Sequence, residues 1–393
     1  MDASTVYIVG AARTPVGQVN GPLSQFSATQ LGAVAIRGAV ERSGVPPELV
    51  SHVYMGQALQ AGAGQSPSKQ AAVYARLPET IEATTINKVC ASGLKAVTLA
   101  AQEILLGHGS VLVAGGMESM SNVPSYIDKD AAGDKQPRDG VKTDGLQNPY
   151  DGLSMGACAD ILAARFRLSK ESQDEYALAT FRRGARAVDV DMFGDEIVPV
   201  SSQTGTATQV STDDIRGKAL FQRLNSLTPT FSAAGTITEG SACTKADGAS
   251  AVVLTNGQVA QEHCRNNLLA RIVSFADAAA KPKEFAIAPA KAVEIALERA
   301  GLKVHQISLW EINEAFAAVV LITKELLGLD AHKINVSGGA IAFGHPLGSS
   351  GSRILVSLLY QLSPGQYGVA AVCNAGGGAT AVVVQRLAAD STP

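Results

Sequence analysis

The same order of structural elements occurs twice in this sequence, once in each half of the chain. In the first half, a strand-like segment leads to the tripeptide ASG at 91–93, then to a helical stretch and a strand that ends at Gly115–Gly116. In the second half, the tripeptide SSG at 349–351 precedes a helical stretch and a strand that runs to 376–378. Such a duplication predicts two like sheets packed as halves, with a catalytic crevice where strand ends from both converge.

Short apolar segments alternate with helical stretches along the chain, which is the pattern of a layered α/β protein. Gly107 is a stop signal for a helix over 91–106, and Pro289 and Gly301 mark the start and end of another. We expect the first helix to bury one apolar face, formed by Leu94, Val97, Ala101, Ile104 and Leu105. Buried strands are predicted at 6–10, 111–116, 333–339 and 368–377.

Residues 121–247 differ in composition from the segments around them. Their first part is rich in Asp, Gly, Pro and Lys, which indicates a surface excursion rather than a core element. Ser169 then offers an N-cap for a following helix. This segment is either a solvated insertion without a function or a cap that covers a long ligand, and we favour the cap.

Two cysteines and one histidine form a candidate set of nucleophile and base. Cys90 and Cys373 each follow a predicted strand and precede glycine, and His345 lies in a glycine-rich turn. Because Cys90 precedes a helix, the positive end of the helix dipole should favour its thiolate and lower its pKa. The alternative is that both cysteines are small buried hydrophobic residues, as most free cysteines are, and that His345 is a turn residue.

Composition excludes several other classes of protein. The 393-residue chain has a net charge of −3 and 17% charged residues, so it offers no basic surface for nucleic acid. Five cysteines without a CxxC spacing argue for reduced thiols and against a disulfide framework or a structural zinc site. No apolar run reaches the length of a transmembrane helix. The N-terminal residues show no leader, which says little about the compartment.

Five separated motifs occur in one order along the chain, and through them the chain resembles the thiolase family. They are NKVCASGLKA, VAGGMESMSNVP, WEINEAFAAV, NVSGGAIAFGHPLGSSG and CNAGGGA. Within the family, the resemblance points to the mitochondrial acetoacetyl-CoA thiolases of animals. It implies two duplicated βαβαβαββ halves in a layered αβαβα arrangement with an inserted loop domain. The implied boundaries are 1–120 plus 248–270 for the N-terminal half, 121–247 for the loop domain and 271–393 for the C-terminal half.

The resemblance also assigns catalytic roles. It implies that Cys90 accepts the acyl group from a thioester and that His345 is the base that activates it. Cys373 would be the second acid and base, acting on the carbon-bound proton. Asn313 would hold a water that joins His345 in an oxyanion hole for the enolate. The backbone N–H groups of Cys90 and Ala375 would form the other oxyanion hole, although the family usually has glycine at the position of Ala375.

Contacts with coenzyme A are implied for a further set of residues, namely Met155, Phe181, Lys218, Arg223, Cys243 and Phe316. Several of these positions depart from the family pattern. Ser154 stands in place of a histidine beside Met155, and Cys243 replaces a serine with a weaker hydrogen-bonding group. Adenine-side lysines are replaced by Ser226 and Thr228. We therefore expect lower affinity for coenzyme A, or contacts that are distributed differently.

Potassium activation is a property of the resembled animal enzymes, whose ion is bound by a tyrosine hydroxyl and several backbone carbonyls. The tyrosine position is Phe181 here, and an alanine pair is replaced by Glu239 and Gly240. Since phenylalanine supplies no oxygen ligand, we expect activation by potassium to be lost or much reduced. No other metal or permanently bound cofactor is expected.

The implied activity is the reversible conversion of two acetyl-CoA molecules into acetoacetyl-CoA and free CoA. Phe285 and Phe316 border the acyl pocket in relatives, and 2-methyl-branched acetoacetyl-CoA is a further candidate substrate. A ketoacyl-synthase-like enzyme would need a histidine at Asn313. A non-catalytic acyl-CoA or lipid carrier would not need the cysteines and His345. The resemblance implies a homo-oligomer, and specifically a tetramer. It also implies a location in the mitochondrial matrix, with the cytosol as the alternative.

Overall fold

The first half of the chain begins the central sheet and supplies its first helices. The structure is a computed structural model that describes residues 5–127, 129, 136–201 and 209–388. In chain order its first elements are β1 (Tyr7–Arg13), β2 (Gly17–Gln18), α1 (Ala28–Ser43), β3 (His52–Gly56), α2 (Pro67–Tyr74), β4 (Glu82–Ile86), α3 (Ser92–Leu105) and β5 (Val111–Ser119).

The segment that follows holds short strands and three helices. They are β6 (Ser125–Tyr126), β7 (Arg138–Asp139), α4 (Met155–Arg165), α5 (Lys170–Asp189), β8 (Val200–Ser201), β9 (Gln209–Val210) and α6 (Lys218–Gln222). The predicted N-cap is confirmed, because Ser169 Oγ accepts a hydrogen bond from the Ser172 N–H at 3.2 Å. Part of the predicted surface excursion, at 128 and 130–135, lies outside the described residues.

The last segment returns to the central sheet and completes it. Its elements are β10 (Ala246–Thr255), α7 (Gly257–His263), β11 (Ala270–Ala279), α8 (Ala288–Ala300), β12 (Ile307–Ile312), α9 (Ala317–Leu327), α10 (Ala340–Phe343), α11 (Leu347–Gln361), β13 (Tyr367–Asn374) and β14 (Gly378–Arg386). None of the described helices is long and apolar enough to cross a membrane.

The sheet contains two copies of one strand arrangement, joined edge to edge. Its order is β12-β13-β14-β11-β1-β10-β5-β3-β4, and β2 pairs with β10. In the first copy β3 is parallel to β4 and β5, and β10 is antiparallel to β5 and β1. In the second copy β12 is parallel to β13, and β14 is antiparallel to β13 and β11. The copies meet at the pairs Tyr7–Arg271 and Ile8–Ala270 between β1 and β11. The predicted duplication of βαβαβαββ halves and the thiolase-type layering are therefore confirmed.

Five layers alternate helices and sheet. Helices α1 and α2 cover the outer face of the first copy, and α8 covers that of the second. Helices α3 and α11 pack on each other between the two copies, where they share one core with strands of both. This central layer is the most buried part of the molecule, and both of its helices begin next to predicted catalytic residues.

One predicted strand is wrong. Residues 333–339 form a short turn, and only Ile334 makes a parallel bridge, with Trp310 of β12. The backbone cannot stay extended there, because Asn335 and Gly338 adopt positive φ values of 47° and 81°. The Asn335 side chain instead bonds the backbone of Ile312, accepting from its N–H at 2.8 Å and donating to its carbonyl at 2.9 Å.

The other local predictions are confirmed with one exception. The strands at 6–10, 111–116 and 368–377 appear as β1, β5 and β13, and α8 ends at Gly301 with a φ of 65°. The face predicted for α3 is buried except for Leu105, which is 53% exposed. It lies at the end of the helix, beyond the reach of α11. The division into three domains stays a prediction.

Candidate active site

Cys90 lies in a strained turn that leads into α3. Val89, just before it, has a φ of 48°, a conformation that a β-branched side chain strongly disfavours. Three hydrogen bonds hold this turn. The Val89 N–H donates to Asn87 Oδ1 at 3.0 Å, the Ser92 hydroxyl donates to the Val89 carbonyl at 2.6 Å, and the Lys88 N–H donates to Ser92 Oγ at 2.8 Å. The thiol of Cys90 is thereby held in a fixed place at the start of the helix.

The expectation of a lowered pKa for Cys90 is wrong. Burial raises the pKa of the Cys90 thiol to about 12, and Glu118 adds to this as a nearby negative charge. The backbone N–H groups of Ala375 and of Cys90 itself interact with the thiol and lower its pKa, but desolvation outweighs them. Cys90 is therefore a protonated thiol at neutral pH and needs a base.

The two backbone groups predicted to form one oxyanion hole thus both lie beside the Cys90 thiol. Ala375 is accommodated without strain, since the positive φ values of this turn, 91° and 89°, fall on Gly376 and Gly377. A methyl group at position 375 is therefore compatible with the turn.

His345 is a neutral imidazole with one free nitrogen. It lies just ahead of α11, and Nδ1 is 2.5 Å from the hydroxyl oxygen of Ser350. Ser350 donates to the Pro346 carbonyl at 2.9 Å, so its oxygen can accept the Nδ1–H. Nε2 is buried and has no hydrogen-bond partner among the described residues. Burial, with the positive charge of Arg353, lowers the pKa of His345 to about 3, so the imidazole is neutral at neutral pH.

Cys373 and Asn313 complete the predicted catalytic set. Cys373, in β13, is buried, and desolvation together with the neighbouring thiols Cys90 and Cys243 raises its pKa well above the usual value. Asn313 follows β12 and donates its backbone N–H to the Ala371 carbonyl at 2.9 Å. Both polar atoms of its side chain are buried without a partner among the described residues. Such an amide is free to bind a small polar group.

A cavity of about 570 Å³ leads to His345. Three of the predicted CoA contacts, Met155, Cys243 and Phe316, line it. Phe316 meets Phe231 edge to face, with ring centres 5.7 Å apart. The other residues that line this cavity include Met120, Ser154, Ala242, Thr244, Lys245 and Leu347. The cavity is mostly apolar, and its volume lies in the usual range of small-molecule pockets.

The remaining predicted CoA contacts lie elsewhere. Phe181 and Lys218 line a second cavity of about 610 Å³, in which the Phe181 ring stacks on Phe221 with ring centres 3.9 Å apart. Arg223 is exposed and pairs with Glu239 at 3.6 Å. The structure does not bring these three residues to the cavity beside His345. Phe285 packs behind Phe316, with ring centres 6.2 Å apart, rather than in the cavity wall.

Sequence reasoning missed Glu118, a carboxylate buried in β5. It accepts backbone N–H groups of Ala58 at 2.9 Å, Leu59 at 3.2 Å and Gly348 at 2.8 Å. Burial raises the pKa of Glu118 to about 7. The bond to Gly348 ties β5 to the first turn of α11, behind His345. An acidic residue within an apolar strand was the signal that could have revealed it.

Glu314 links neighbouring elements through its buried carboxylate. Its carboxylate accepts hydrogen bonds from Tyr176 at 2.7 Å, Thr180 at 2.7 Å, Asn335 at 2.9 Å and the Ile341 N–H at 3.0 Å. It thereby joins α5, α10 and the turn after β12. No cluster of His, Cys, Asp and Glu that could hold a metal ion occurs among the described residues.

Comparisons with known proteins agree with this geometry. The family model of the thiolase N-terminal domain matches residues 6–258, and that of the thiolase C-terminal domain matches residues 266–386. A mitochondrial acetyl-CoA acetyltransferase of Gibberella zeae is 50% identical, covering 97% of this chain and 90% of its own length. The mitochondrial acetyl-CoA acetyltransferase of Bos taurus is 46% identical, covering 97% and 92%. The crystal structure of the Acat5 thiolase of Ascaris suum with coenzyme A superposes with a TM-score of 0.93 at 37% identity, over 98% of this chain and all of that one.

Proposed function

The chain belongs to the thiolase family, and we infer from that premise that it is an acetyl-CoA C-acetyltransferase. It converts two molecules of acetyl-CoA into acetoacetyl-CoA and CoA in a reversible Claisen condensation. Relatives at 45–50% identity carry this activity in their names. The observation that carries the assignment within this chain is the neutral His345, which lines the thioester cavity and whose Nε2 has no hydrogen-bond partner among the described residues.

Acyl transfer is the first step. His345 takes the proton of the Cys90 thiol, and the resulting thiolate attacks the carbonyl carbon of acetyl-CoA. The backbone N–H groups of Cys90 and Ala375 stabilise the oxyanion of the tetrahedral intermediate. This intermediate then releases CoA, which leaves with a proton, and Cys90 remains acetylated. The high pKa of Cys90 supports this proposal, because a protonated thiol has to be activated by a base.

Carbon–carbon bond formation is the second step. Cys373 removes a methyl proton from a second acetyl-CoA, and the enolate attacks the acetylated Cys90. Asn313, through a bound water, and His345 would hold the enolate oxygen. The unpartnered amide of Asn313 supports this role. The Cys90 thiol is regenerated, and thiolysis of acetoacetyl-CoA follows the same steps in reverse.

Coenzyme A contacts fall into two proposed groups. Met155, Cys243 and Phe316 would contact the thioester arm, since they line the cavity that leads to His345. Phe181, Lys218 and Arg223 would lie nearer the nucleotide, in or beside the second cavity. The aromatic wall of Phe316 and Phe231 makes 2-methylacetoacetyl-CoA a second candidate substrate.

Two other functions are less well supported. A ketoacyl-synthase-like enzyme would carry a histidine where this chain has Asn313. A non-catalytic acyl-CoA or lipid carrier would have no need for the strained Val89 turn or for the free Nε2 of His345.

Steady-state assays in both directions test the proposal. The purified chain should cleave acetoacetyl-CoA with CoA and should form it from acetyl-CoA. Parallel assays with 2-methylacetoacetyl-CoA measure the preference for a branched acyl group. Tight binding of acyl-CoA without turnover in either direction would identify a carrier instead.

Assembly and location are separate proposals. We propose a homotetramer in the mitochondrial matrix, because several relatives are named mitochondrial. Light scattering of the purified chain measures the assembly, and fractionation of the source cells measures the location, with the cytosol as the alternative outcome.

A further inference from the structure

Arg216 is held by backbone carbonyls from two separate segments. One terminal nitrogen of its guanidinium donates to the Ala242 carbonyl at 2.8 Å and to the Ile341 carbonyl at 3.3 Å. The other donates to the Glu239 carbonyl at 2.8 Å. Glu239 and Ala242 belong to the turn before β10, and Ile341 belongs to α10. Three carbonyl dipoles therefore point at one positive charge.

No carboxylate in the described part of the chain hydrogen-bonds this guanidinium, although Arg216 is buried. The side chain of Glu239 is more than half exposed and pairs with Arg223 instead. The ring of Phe221 lies 5.7 Å from the guanidinium carbon of Arg216, and Phe181 stacks on the far side of that ring. A buried charge is costly unless polar groups surround it, and carbonyl oxygens are ligands that proteins offer to cations. The arrangement is thus a carbonyl cage around a cation that belongs to the chain.

We propose that the Arg216 guanidinium is a built-in cation that joins the 239–242 turn to α10 and so fixes the thioester pocket without an exchangeable metal ion. With the Arg216 guanidinium in place, the residues present do not fit a potassium ion. Phe181 provides no oxygen, and the Glu239 carbonyl already accepts a hydrogen bond from Arg216. A potassium ion at this place would have to displace the guanidinium of Arg216.

The 239–242 turn reaches the wall of the thioester pocket at Ala242, and α10 ends two residues before His345, which also lines the pocket. Ala242 bridges to Phe316, and the next residue, Cys243, donates its N–H to the Ala315 carbonyl at 3.2 Å. The helix α10 runs directly into Gly344 and His345. Arg216 also donates its backbone N–H to the Ala342 carbonyl at 3.0 Å. Arg216 touches none of the catalytic residues named above, so it is a positioning residue that acts through the pocket walls.

Cation rescue of Arg216→Ala tests this proposal, whose kinetic readout rests on the proposed thiolase activity. The KM for acetoacetyl-CoA should rise about tenfold, because hydrogen bonds from a charged donor are lost, while kcat stays within a few-fold. Millimolar guanidinium or potassium should lower that KM again by filling the cage. The wild-type enzyme should respond to neither ion at fixed ionic strength.

Arg42→Ala is the matched control. Arg42 also donates to three backbone carbonyls, those of Ala11, Glu196 and Ile197, but it lines no part of the thioester pocket. Its KM should not change, and added cations should have no effect on it. Should Arg216→Ala fail to fold, Arg216→Lys keeps the positive charge with fewer donors. It should give a smaller rise in KM that potassium does not reverse.

Several results would overturn the proposal. A several-fold activation of the wild-type enzyme by potassium would contradict it, as would an unchanged KM in Arg216→Ala. So would an equal rise of KM in Arg42→Ala, or a raised KM of Arg216→Ala that neither guanidinium nor potassium lowers. Calorimetric binding of CoA provides a readout apart from turnover. If the wild-type chain turns over no thioester, the proposed function fails. A guanidinium-dependent affinity of Arg216→Ala for CoA would still support the built-in cation.

Discussion

The hydroxyl oxygen of Ser350 lies 2.5 Å from Nδ1 of His345 and 2.9 Å from the Pro346 carbonyl. A hydroxyl can accept a hydrogen bond from Nδ1–H, or it can turn and donate to a bare Nδ1. Ser350 is therefore able to stabilise both neutral tautomers of His345. In the proposed mechanism, one tautomer leaves Nε2 free to take a proton from Cys90, and the other presents an Nε2–H to the enolate oxygen.

Ser350→Ala should lower kcat for thiolysis of acetoacetyl-CoA by about 10- to 100-fold, with little change in KM, because His345 loses the hydroxyl that pairs with Nδ1 in both tautomers. Ser350→Thr keeps the hydroxyl and should retain most of the activity. Steady-state kinetics of the three proteins provide the measurement. Equal kcat values for the alanine and threonine variants would show that the hydroxyl plays no part in catalysis.

Cys90 should carry a covalent acetyl group after incubation with acetoacetyl-CoA. Peptide mass spectrometry should locate the added mass on Cys90, and Cys90→Ala should remain unmodified. Cys264→Ala is the control, since Cys264 is buried away from the cavity and its loss should leave acetylation of Cys90 intact. Acetylation that persists in Cys90→Ala would place the nucleophile elsewhere.

Cys373→Ala should separate the two half-reactions. His345 can still activate Cys90, so the variant should accept an acetyl group from acetyl-CoA. Condensation and thiolysis should fall by about 10²–10⁴-fold, the usual contribution of a general acid–base group. The variant should also lose exchange of the acetyl methyl protons with deuterated solvent, as followed by NMR. Condensation within a few-fold of the wild-type rate would remove Cys373 from the assignment.

Glu311 makes the stability of the fold dependent on pH. Its carboxylate, in β12, has no hydrogen-bond partner at either oxygen among the described residues. Burial, with Glu314 and Glu196, raises the pKa of Glu311 to about 8 in spite of the positive charge of Arg353. In the unfolded chain the pKa returns to its ordinary 4.5. Between these values the folded state holds one proton more, so the free energy of unfolding falls as the pH rises.

Glu311→Gln should remove this dependence. Relative to the variant, the wild-type protein should lose about 1.4 kcal/mol of stability per pH unit between pH ~5 and ~8, the value for one proton. Urea unfolding at a series of pH values measures the difference. Glu325→Gln, at an exposed position of α9, should show no such divergence from the wild-type protein. Parallel curves for wild type and Glu311→Gln would mean that Glu311 titrates normally.

Much of the fold could be predicted from the sequence, because glycine turns and motif order are local features, and the same motifs contain the proposed catalytic set. The predicted strand at 333–339 was wrong, because the left-handed backbone of Asn335 depends on partners in β12 that lie distant in sequence. The predicted lowering of the Cys90 pKa was wrong for a similar reason. The helix start, whose dipole would lower the pKa of Cys90, is visible in the sequence. The burial that raises this pKa comes from packing between the two halves.

Charged groups in the interior were the least predictable part of the site. Nothing in the sequence around Glu118 or Arg216 shows that each would bind backbone groups of distant segments. The CoA contacts were predicted from the resemblance to the family. The predicted residues do not share one cavity, because the position of α6 depends on long-range contacts. Of these residues, Met155, Cys243 and Phe316 share the cavity beside His345.

The packing of α3 against α11 has a mechanical consequence for catalysis. Cys90 immediately precedes one of these helices and His345 the other, at equivalent places in the two copies of the duplicated fold. A symmetric scaffold thus presents an asymmetric pair, the proposed proton donor from one copy and the proposed proton acceptor from the other. Because the core between the two helices sets the separation of this pair, a substitution that loosens the core should also impair the proposed proton transfer.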